Sequence, residues 1–269
     1  SPLFEQFLSI EPVIIHKGLN MSFPHHEANP IKPETLRDLQ KMVIKKKCDL
    51  GAAFDGDGDR LGIIDERGAY ILSDMIIAVL ASHYVKDVFN SVIVCDPCIS
   101  RIVREEIEYH KGRVMETRVG PPFLKGVMRK EGALFGGESN GHYYFKDFFY
   151  SESALFALFT LLSILKKEKT TLHALVAPLY RYSKSEEINV PFFNKKNTDI
   201  LFQHIASHFS DSMISYIDGI KIMYPSWWFI VRQSNTESLM RLNIEAETPL
   251  LLQNKKQEVV EFLNRVVSS

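Results

Sequence analysis

Residues 49–60 read Asp49-Leu50-Gly51-Ala52-Ala53-Phe54-Asp55-Gly56-Asp57-Gly58-Asp59-Arg60, and this segment is the strongest indication of the fold. Its first half is a short, nearly continuous apolar run, which is typical of a strand in a parallel sheet covered on both faces. Its second half alternates aspartate with glycine directly after that strand. Because ligands of open α/β sheets bind beyond the carboxyl ends of the strands, the segment predicts an α/β fold with a polar site at a strand end.

Helix and strand patterns alternate on both sides of this segment. Upstream, the sequence predicts a helix over residues 4–8 and another that opens at Pro33. Downstream, it predicts helices over 74–87, 99–110, 122–130 and 152–167, separated by strands over 91–95, 113–117 and 133–135. Beyond residue 186, predicted strands predominate, with helices over 197–208 and 250–267.

This order predicts an α/β protein with two open α/β segments, each built on a mixed or parallel sheet, followed by a smaller α+β C-terminal domain. We expect the domains to comprise residues 1–69, 70–172 and 173–269.

Composition excludes several classes of partner. The chain has 269 residues and a formal net charge of −1, which gives no reason to expect a nucleic-acid partner. A membrane span needs roughly eighteen apolar residues, whereas the best candidate runs only from Ala154 to Leu165 and is interpreted as a buried helix. The first residues lack the basic region and apolar core of a signal peptide, so we expect a cytoplasmic protein with no membrane partner.

The aspartate-rich loop predicts a metal site. Asp55, Asp57 and Asp59 are spaced so that their carboxylates can turn inward around one divalent cation, and the intervening glycines permit backbone angles that other residues resist. Hard oxygen ligands suit Mg²⁺, which keeps coordination positions open for phosphate oxygens. We therefore predict that this loop, here called the metal loop, binds Mg²⁺.

Three other interpretations of the metal loop are an EF-hand, a phosphatase with an aspartate nucleophile and a solvated acidic turn. An EF-hand would use Glu66 at its twelfth position, but its sixth position needs glycine and is Arg60 here. The phosphatase motif would have Thr or Val in place of Asp59. The pattern favours the magnesium site, and the acidic turn remains open.

A second polar loop, here called the sugar loop, reads Gly136-Gly137-Glu138-Ser139-Asn140-Gly141-His142. Glu138 and Asn140 carry side chains suited to neighbouring sugar hydroxyls. His142 can act as an acid or a base, or can orient a hydroxyl. Taken alone, this signal is weak, and the loop fits a glycine-rich turn with a satisfied histidine somewhat better.

A third polar loop, here called the phosphate loop, reads Arg232-Gln233-Ser234-Asn235-Thr236-Glu237-Ser238, with Arg241 nearby. Arg232 offers a fork of donors to a phosphate, Ser234 and Thr236 offer hydroxyls, and backbone N–H groups around Asn235 can form an anion nest. The alternative for this segment alone is a polar hairpin turn.

The cysteines give a weaker signal. Cys95-Asp96-Pro97-Cys98 spells C-x-x-C at a predicted strand end, a spacing that redox pairs and zinc sites also use. The sequence contains no second C-x-x-C to complete a zinc tetrahedron, so we interpret both residues as loop or core thiols.

In this order and spacing, the three loops resemble those of the α-D-phosphohexomutase superfamily, in its phosphomannomutase/phosphoglucomutase branch. Phe23-Pro24-His25-His26 resembles the F-P-x-H segment that precedes the metal loop in that family. The resemblance implies a four-domain enzyme that moves a phosphoryl group between C1 and C6 of a hexose through a bisphosphorylated intermediate. Residues 1–69 would belong to domain two, residues 70–172 would be domain three and the remainder domain four.

The resemblance also implies roles for individual residues. Asp55, Asp57 and Asp59 would bind Mg²⁺, and Arg60 would contact the phosphorylated serine or the reacting phosphate. Glu138 and Asn140 would contact the sugar. The partners would be a hexose 1-phosphate, 6-phosphate and 1,6-bisphosphate. The residues expected to hold the phosphate that is not transferred are Arg232, Ser234, Asn235 and Thr236.

Three positions depart from the family pattern. Asn140 stands where serine is common, Pro121 where many members have histidine, and Cys98 where a lysine is expected. The missing histidine and lysine would contact the substrate or transfer protons. Lys125 can supply a cation in place of the missing lysine or histidine. It is therefore a candidate catalytic residue, together with His142 and Arg60.

The family's phosphoserine motif, T-A-S-H-N-P, is not found in the sequence. Ala81-Ser82-His83 and Ala206-Ser207-His208 resemble part of it, but both lie in helix patterns and lack the Asn-Pro that should follow. We therefore expect a fragment that needs N-terminal domains of a longer enzyme and is inactive alone. The alternative is a non-catalytic sugar-phosphate-binding protein without that domain.

Overall fold

The computed structural model describes residues 10–18, 20, 22–192, 198–234 and 237–268. The helix predicted over residues 4–8 lies outside these ranges, as do Asn235 and Thr236 of the phosphate loop. No helix within the ranges is long and apolar enough to cross a lipid bilayer. The described residues form three β-sheets with helices packed against them.

The first sheet carries the metal loop. Its order is β1-β2-β3, with β1 at Leu50–Phe54, β2 at Leu61–Asp65 and β3 at Tyr70–Ile71. Helix α1 (Arg37–Lys46) packs on this sheet, with Val43 in the shared core. The metal loop is the connection between β1 and β2, so the two strands hold both of its ends.

We expected residues 49–54 to form a strand of a parallel sheet that is covered on both faces. This prediction is wrong within the described residues. β1 pairs antiparallel with β2, and Phe54 at its end is 38% exposed. The apolar run has a different cause, which is close packing on α1. A Cβ added to Gly51 would lie 2.7 Å from Val43 Cγ2, so the helix requires small residues in this strand.

The second sheet has the order β5-β4-β6-β7-β8. Its strands are β4 (Val92–Cys95), β5 (Arg113–Glu116), β6 (Phe135–Gly137), β7 (Tyr143–Phe145) and β8 (Ser151–Glu152). The first three run parallel, and β7 and β8 continue the sheet antiparallel. The sugar loop connects β6 to β7.

Five helices belong to this sheet: α2 (Ser73–Val85), α3 (Arg101–Tyr109), α4 (Pro121–Glu131), α5 (Ala154–Glu168) and α6 (Leu172–Val176). Helix α2 is buried on nearly every side because it packs against β6, α3 and α5. The stretch from Met75 to Ala81 is continuously apolar for that reason.

The third sheet has the order β10-β14-β13-β12-β11, and β9 also pairs with β14. Its strands are β9 (Ser183–Lys184), β10 (Ile188–Pro191), β11 (Met213–Ser215), β12 (Ile220–Met223), β13 (Trp227–Gln233) and β14 (Leu239–Ala246). Helices α7 (Thr198–His208) and α8 (Pro249–Ser268) pack on it. The predicted fold class, two open α/β segments followed by a smaller α+β domain, is confirmed.

Buried polar contacts fix the third sheet against the second. Lys184 Nζ lies 2.7 Å from Asp74 Oδ2, and both side chains are less than a tenth exposed. From β12, Lys221 donates to the carbonyl oxygen of Pro97 at 2.7 Å, just beyond the end of β4. These contacts bring the end of β4 next to β13, the strand that leads into the phosphate loop.

Candidate functional site

The metal loop brings its three carboxylates together. Oxygen atoms of Asp55, Asp57 and Asp59 all lie within 4.8 Å of one another. Asp55 is the structural centre of the loop: its Oδ1 accepts from the backbone N–H groups of Gly58 and Arg60, both at 3.1 Å, and its Oδ2 accepts from Arg60 Nε at 2.6 Å. The loop is therefore closed on itself and holds Arg60 beside the aspartates.

Two of these carboxylates differ in acidity. Burial would raise the pKa of Asp55, but the hydrogen bonds from Arg60 outweigh it and the net pKa is lowered. Burial raises the pKa of Asp59, and the charges of Asp55 and Asp57 raise it further, although His142 opposes them. The mutual repulsion shows that this loop holds more negative charge than its own cations neutralise.

The residues of the metal loop fit a hard divalent cation. All three side chains offer carboxylate oxygens, the donor type that Mg²⁺ prefers. Ligands of an octahedral Mg²⁺ at about 2.1 Å stand roughly 3–4 Å apart, so carboxylate oxygens within 4.8 Å need only small side-chain movements. Among the described residues, this is the one group of His, Cys, Asp or Glu side chains with such spacing.

The sugar loop is attached directly to the metal loop. The backbones meet in a bridge between Arg60 and His142, and Leu61 N–H donates to the carbonyl oxygen of Gly141 at 3.1 Å. Gly141 has a φ of 93°, and a Cβ there would lie 2.5 Å from Ile31 Cδ1. The positive φ is what favours glycine at this turn, since the Ile31 methyl group could move aside for a side chain.

The His142 side chain lies between the two loops. Its Nε2 is 3.2 Å from Asp59 Oδ2, while its Nδ1 is 2.9 Å from Asn140 Oδ1 and 3.3 Å from Glu138 Oε2. Burial would lower the pKa of His142, but Glu138 and Asp59 outweigh that effect and the net pKa is raised. Neighbours on both sides therefore position the imidazole, and the carboxylates among them favour its protonated form.

Glu138 is completely buried, and both oxygen atoms of its carboxylate accept hydrogen bonds. Oε1 accepts from the backbone N–H of Gly120 at 2.6 Å, and Oε2 accepts from the Tyr144 hydroxyl at 2.6 Å. Burial would raise its pKa, but the hydrogen bonds from His142, Tyr144 and Gly120 lower it below the ordinary value. The glutamate that was predicted to contact sugar hydroxyls thus also organises the loop, and its sugar contact stays a prediction. Asn140 is half-buried beside it.

Asp96 is a site residue that the sequence interpretation missed. Its side chain is buried at the end of β4, where Oδ2 accepts from Ser139 N–H and Oδ1 accepts from Cys98 N–H, both at 2.6 Å. Burial, reinforced by the charge of Glu138, raises its pKa to about 6. The signal in the sequence is an acidic residue at a predicted strand end, within Cys95-Asp96-Pro97-Cys98.

The phosphate loop holds its arginines against carboxylates. Arg232 Nη1 lies 3.3 Å from Asp218 Oδ2, and Arg232 Nη2 lies 3.3 Å from Glu187 Oε2. Arg241 Nε lies 3.5 Å from Glu187 Oε1. Ser234 is buried and its hydroxyl oxygen accepts from Glu237 N–H at 3.2 Å. Asn235 and Thr236 are not among the described residues, so their predicted contacts remain predictions.

Cys98, which departs from the family pattern, and Lys125, the predicted substitute cation, lie in different surroundings. Cys98 is buried against Trp228 and Ile230, and burial raises the pKa of its thiol to about 12, so the thiol is neutral. A cysteine side chain carries no positive charge and cannot replace the expected lysine. Cys95 and Cys98 are free, buried thiols rather than a disulfide. Lys125, on α4, pairs with Glu152 at 2.5 Å, and within the described residues no hydrogen bond or ion pair joins it to the three loops.

One short segment links the sugar loop to the phosphate loop. Residues 118–120 precede α4, and Pro121 begins that helix. Gly120 N–H donates to Glu138, while Val119 N–H donates to Asp218 Oδ2 at 3.3 Å, the atom that also contacts Arg232. Polar contacts therefore connect the metal, sugar and phosphate loops across the three sheets.

The fold and these three linked loops are those of a phosphohexomutase-type protein. Three models of the phosphoglucomutase/phosphomannomutase family match in order: alpha/beta/alpha domain II over residues 1–68, alpha/beta/alpha domain III over residues 72–182 and the C-terminal domain over residues 187–262. The chain belongs to this family, in the α-D-phosphohexomutase superfamily.

Individual proteins with similar sequences support this family assignment. The phosphomannomutase of Methanocaldococcus jannaschii is 38% identical over 257 residues, which are 96% of this chain and 57% of that protein. The phosphomannomutase of Vibrio cholerae is 33% identical over 94% of this chain and 55% of its own length. The chain thus spans little more than half the length of these relatives.

Solved structures show the same architecture. A phosphoglucomutase/phosphomannomutase family protein from Burkholderia thailandensis superposes with a TM-score of 0.80 and 26% identity, covering 93% of this chain and 52% of that one. An Aspergillus fumigatus N-acetylphosphoglucosamine mutase, solved in complex with glucose 1,6-bisphosphate, has a TM-score of 0.61 at 15% identity, covering 85% of this chain and 52% of its own. Because its sequence identity is only 15%, the second structure shows similarity of the fold alone.

Proposed function

We propose that this chain forms the metal, sugar and phosphate sites of a phosphohexomutase, which moves a phosphoryl group between C1 and C6 of a hexose. The observation that carries the proposal is the connection of the three loops, from Asp59 through His142, Glu138 and residues 118–120 to Arg232. A hexose bisphosphate needs such a site, because a charge-neutralising group must stand at each end of one sugar.

The proposed substrates are hexose 1-phosphates, hexose 6-phosphates and the 1,6-bisphosphate. The names of the similar proteins, phosphomannomutase and phosphomannomutase/phosphoglucomutase, support this class of substrate. They do not favour the alternative of a non-catalytic sugar-phosphate-binding protein. The phosphoserine of the reaction would lie outside the residues printed here, and we propose a cytoplasmic location.

In this proposal the domains comprise residues 1–69, 70–172 and 173–269, and each contributes one loop. Asp55, Asp57 and Asp59 would hold Mg²⁺, which when bound offsets negative charge on the phosphoryl oxygens. Arg60 is held beside them by Asp55 at 2.6 Å, so its guanidinium is positioned to stabilise the same charge.

His142 would hold or move a proton at a sugar hydroxyl oxygen. Its two nitrogen atoms are oriented by Asp59 on one side and by Asn140 and Glu138 on the other, which fixes the ring relative to the aspartates. Arg232 and Arg241 would hold the phosphate that is not transferred, together with Ser234, Asn235 and Thr236. Catalysis would then consist mainly of positioning and electrostatic stabilisation. Lys125 has no assigned step.

The test is phosphoryl transfer by the complete protein that contains this chain. Glucose 1-phosphate, mannose 1-phosphate and glucosamine 1-phosphate are each supplied with Mg²⁺ and the matching 1,6-bisphosphate, and formation of the 6-phosphate is followed. We expect conversion of at least one sugar and loss of conversion on chelation of the metal. Binding of these phosphates without any turnover would instead support the binding-protein alternative.

A further inference from the structure

One carboxylate lies where the phosphate is proposed to bind. Glu187 Oε2 is 3.3 Å from Arg232 Nη2, and Glu187 Oε1 is 3.5 Å from Arg241 Nε. The two oxygen atoms of one side chain thus bridge both arginines of the phosphate loop, as two oxygen atoms of a phosphate would. Glu187 immediately precedes β10, which pairs with β14, the strand that carries Arg241.

The second carboxylate on Arg232 is held differently. Asp218 Oδ2 accepts from Val119 N–H at 3.3 Å, and Asp218 Oδ1 lies 3.7 Å from Arg118 Nε. Its side chain is 17% exposed, and it lies in the tight turn that Gly219 closes with a φ of 77°. Asp218 is therefore anchored independently of Arg232.

Glu187 lacks such anchors. Within the described part of the chain, Arg232 and Arg241 supply all of its hydrogen bonds and ion pairs, and its side chain is 37% exposed. Partly exposed ion pairs of this kind contribute little net stability, and an unanchored glutamate can turn into solvent at small cost. A phosphate dianion carries more charge and more acceptor oxygens than one carboxylate.

We propose that Glu187 is an internal competitor for the phosphate group, which occupies the Arg232–Arg241 pair and must leave when a sugar phosphate binds. This inference depends on the proposed function, because it takes the two arginines as the phosphate site. Glu187 keeps the arginines neutralised and oriented in the free protein. It also lowers the affinity for phosphate, since both anions cannot occupy the same donors.

The experiment measures binding of inorganic phosphate and of glucose 1-phosphate by calorimetry at low ionic strength. The variants are Glu187→Gln and Glu187→Ala, and Glu258→Gln on α8 is the control for the change of one charge, because Glu258 pairs only locally with Lys255. We expect both Glu187 variants to bind about three- to ten-fold more tightly, because a competing anion has been removed. Glu258→Gln should bind like the original protein.

Arg232→Ala separates this inference from the proposed function. If Arg232→Ala abolishes binding while the Glu187 variants bind no more tightly, or bind more weakly, the phosphate site stands and the competitor role of Glu187 is refuted. If binding is absent, or does not depend on Arg232, both proposals fail. Denaturation midpoints of the two Glu187 variants show whether either change disturbs the fold.

Discussion

His142 Nε2 lies 3.2 Å from Asp59 Oδ2, so a residue of the second sheet contacts an aspartate of the first. An antiparallel backbone bridge between Arg60 and His142 joins the same two loops. Leu61 N–H also donates to the carbonyl oxygen of Gly141, so backbone and side-chain contacts both join the two loops. The metal loop and the sugar loop are therefore in direct contact, whereas the phosphate loop is connected to them through residues 118–120.

Asp57→Ala should weaken Mg²⁺ binding by at least about 100-fold, because it removes one of three carboxylates from a site in which charge and ligand number set the affinity. Titration calorimetry with Mg²⁺ measures the change. Asp49→Ala is the matched control, since Asp49 is an exposed aspartate just before β1 and lies outside the loop. Equal Mg²⁺ affinity in the two variants would contradict the metal assignment.

Arg232→Ala should weaken the binding of a hexose phosphate by roughly 2–4 kcal/mol through loss of a charge-assisted pair. Arg232→Lys should recover only part of this, because an ammonium group keeps the charge but cannot replace the planar fork of donors. Dissociation constants for glucose 1-phosphate distinguish the three proteins. A lysine variant that binds as tightly as the original would show that charge alone matters at this position.

Tyr144→Phe should destabilise the protein by about 1.5–3 kcal/mol, because the lost hydroxyl donates to a buried, ionised carboxylate. The Tyr144 hydroxyl is 2.6 Å from Glu138 Oε2, and neither side chain is exposed to solvent. Urea unfolding measures the change, with Tyr109→Phe as the control because Tyr109 is 76% exposed. Equal losses in both variants would mean that the bond to Glu138 contributes little.

Much of the fold could be predicted because its elements carry local patterns. The β/α alternation from β4 to α5 follows from hydrophobic periodicity alone. Strands β7, β8 and β9 have only two or three residues each, which is too short for any period to show. The pairing of β1 was mistaken because small residues selected by packing on α1 have the same pattern as a strand buried on both faces.

The motifs of the candidate site could be read from the sequence, but the contacts that connect them could not. Each loop has a motif within about seven residues, and the order of the three motifs identified the family. The contacts that join the loops have no such signature: Val119 and Asp218 are 99 positions apart, and Ser139 and Asp96 are 43 apart. Glu187 and Asp218 were missed because their partners are brought close only by the folded chain.

Asp96 should make the stability of the protein depend on pH between about 4 and 6. Its pKa in the folded protein is about 6, above the ordinary value of 3.8, because it is fully buried beside Glu138. The folded state therefore binds the proton more tightly than the unfolded state does. Stability attributed to this group is present below pH 4 and is lost as the pH rises through 6, and the loss is roughly 3 kcal/mol.

Asp96→Asn removes this titration while it keeps the size of the side chain. The variant lacks one of two acceptors for the N–H groups of Cys98 and Ser139, which costs a constant amount at every pH. The difference in unfolding free energy, original protein minus variant, should therefore decrease between pH 4 and pH 7, and urea titrations at several pH values measure it. A difference that stays constant would mean that folding leaves the pKa of Asp96 unchanged. A difference that increases with pH would mean that the cations of Arg232 and Lys184 outweigh burial and lower this pKa.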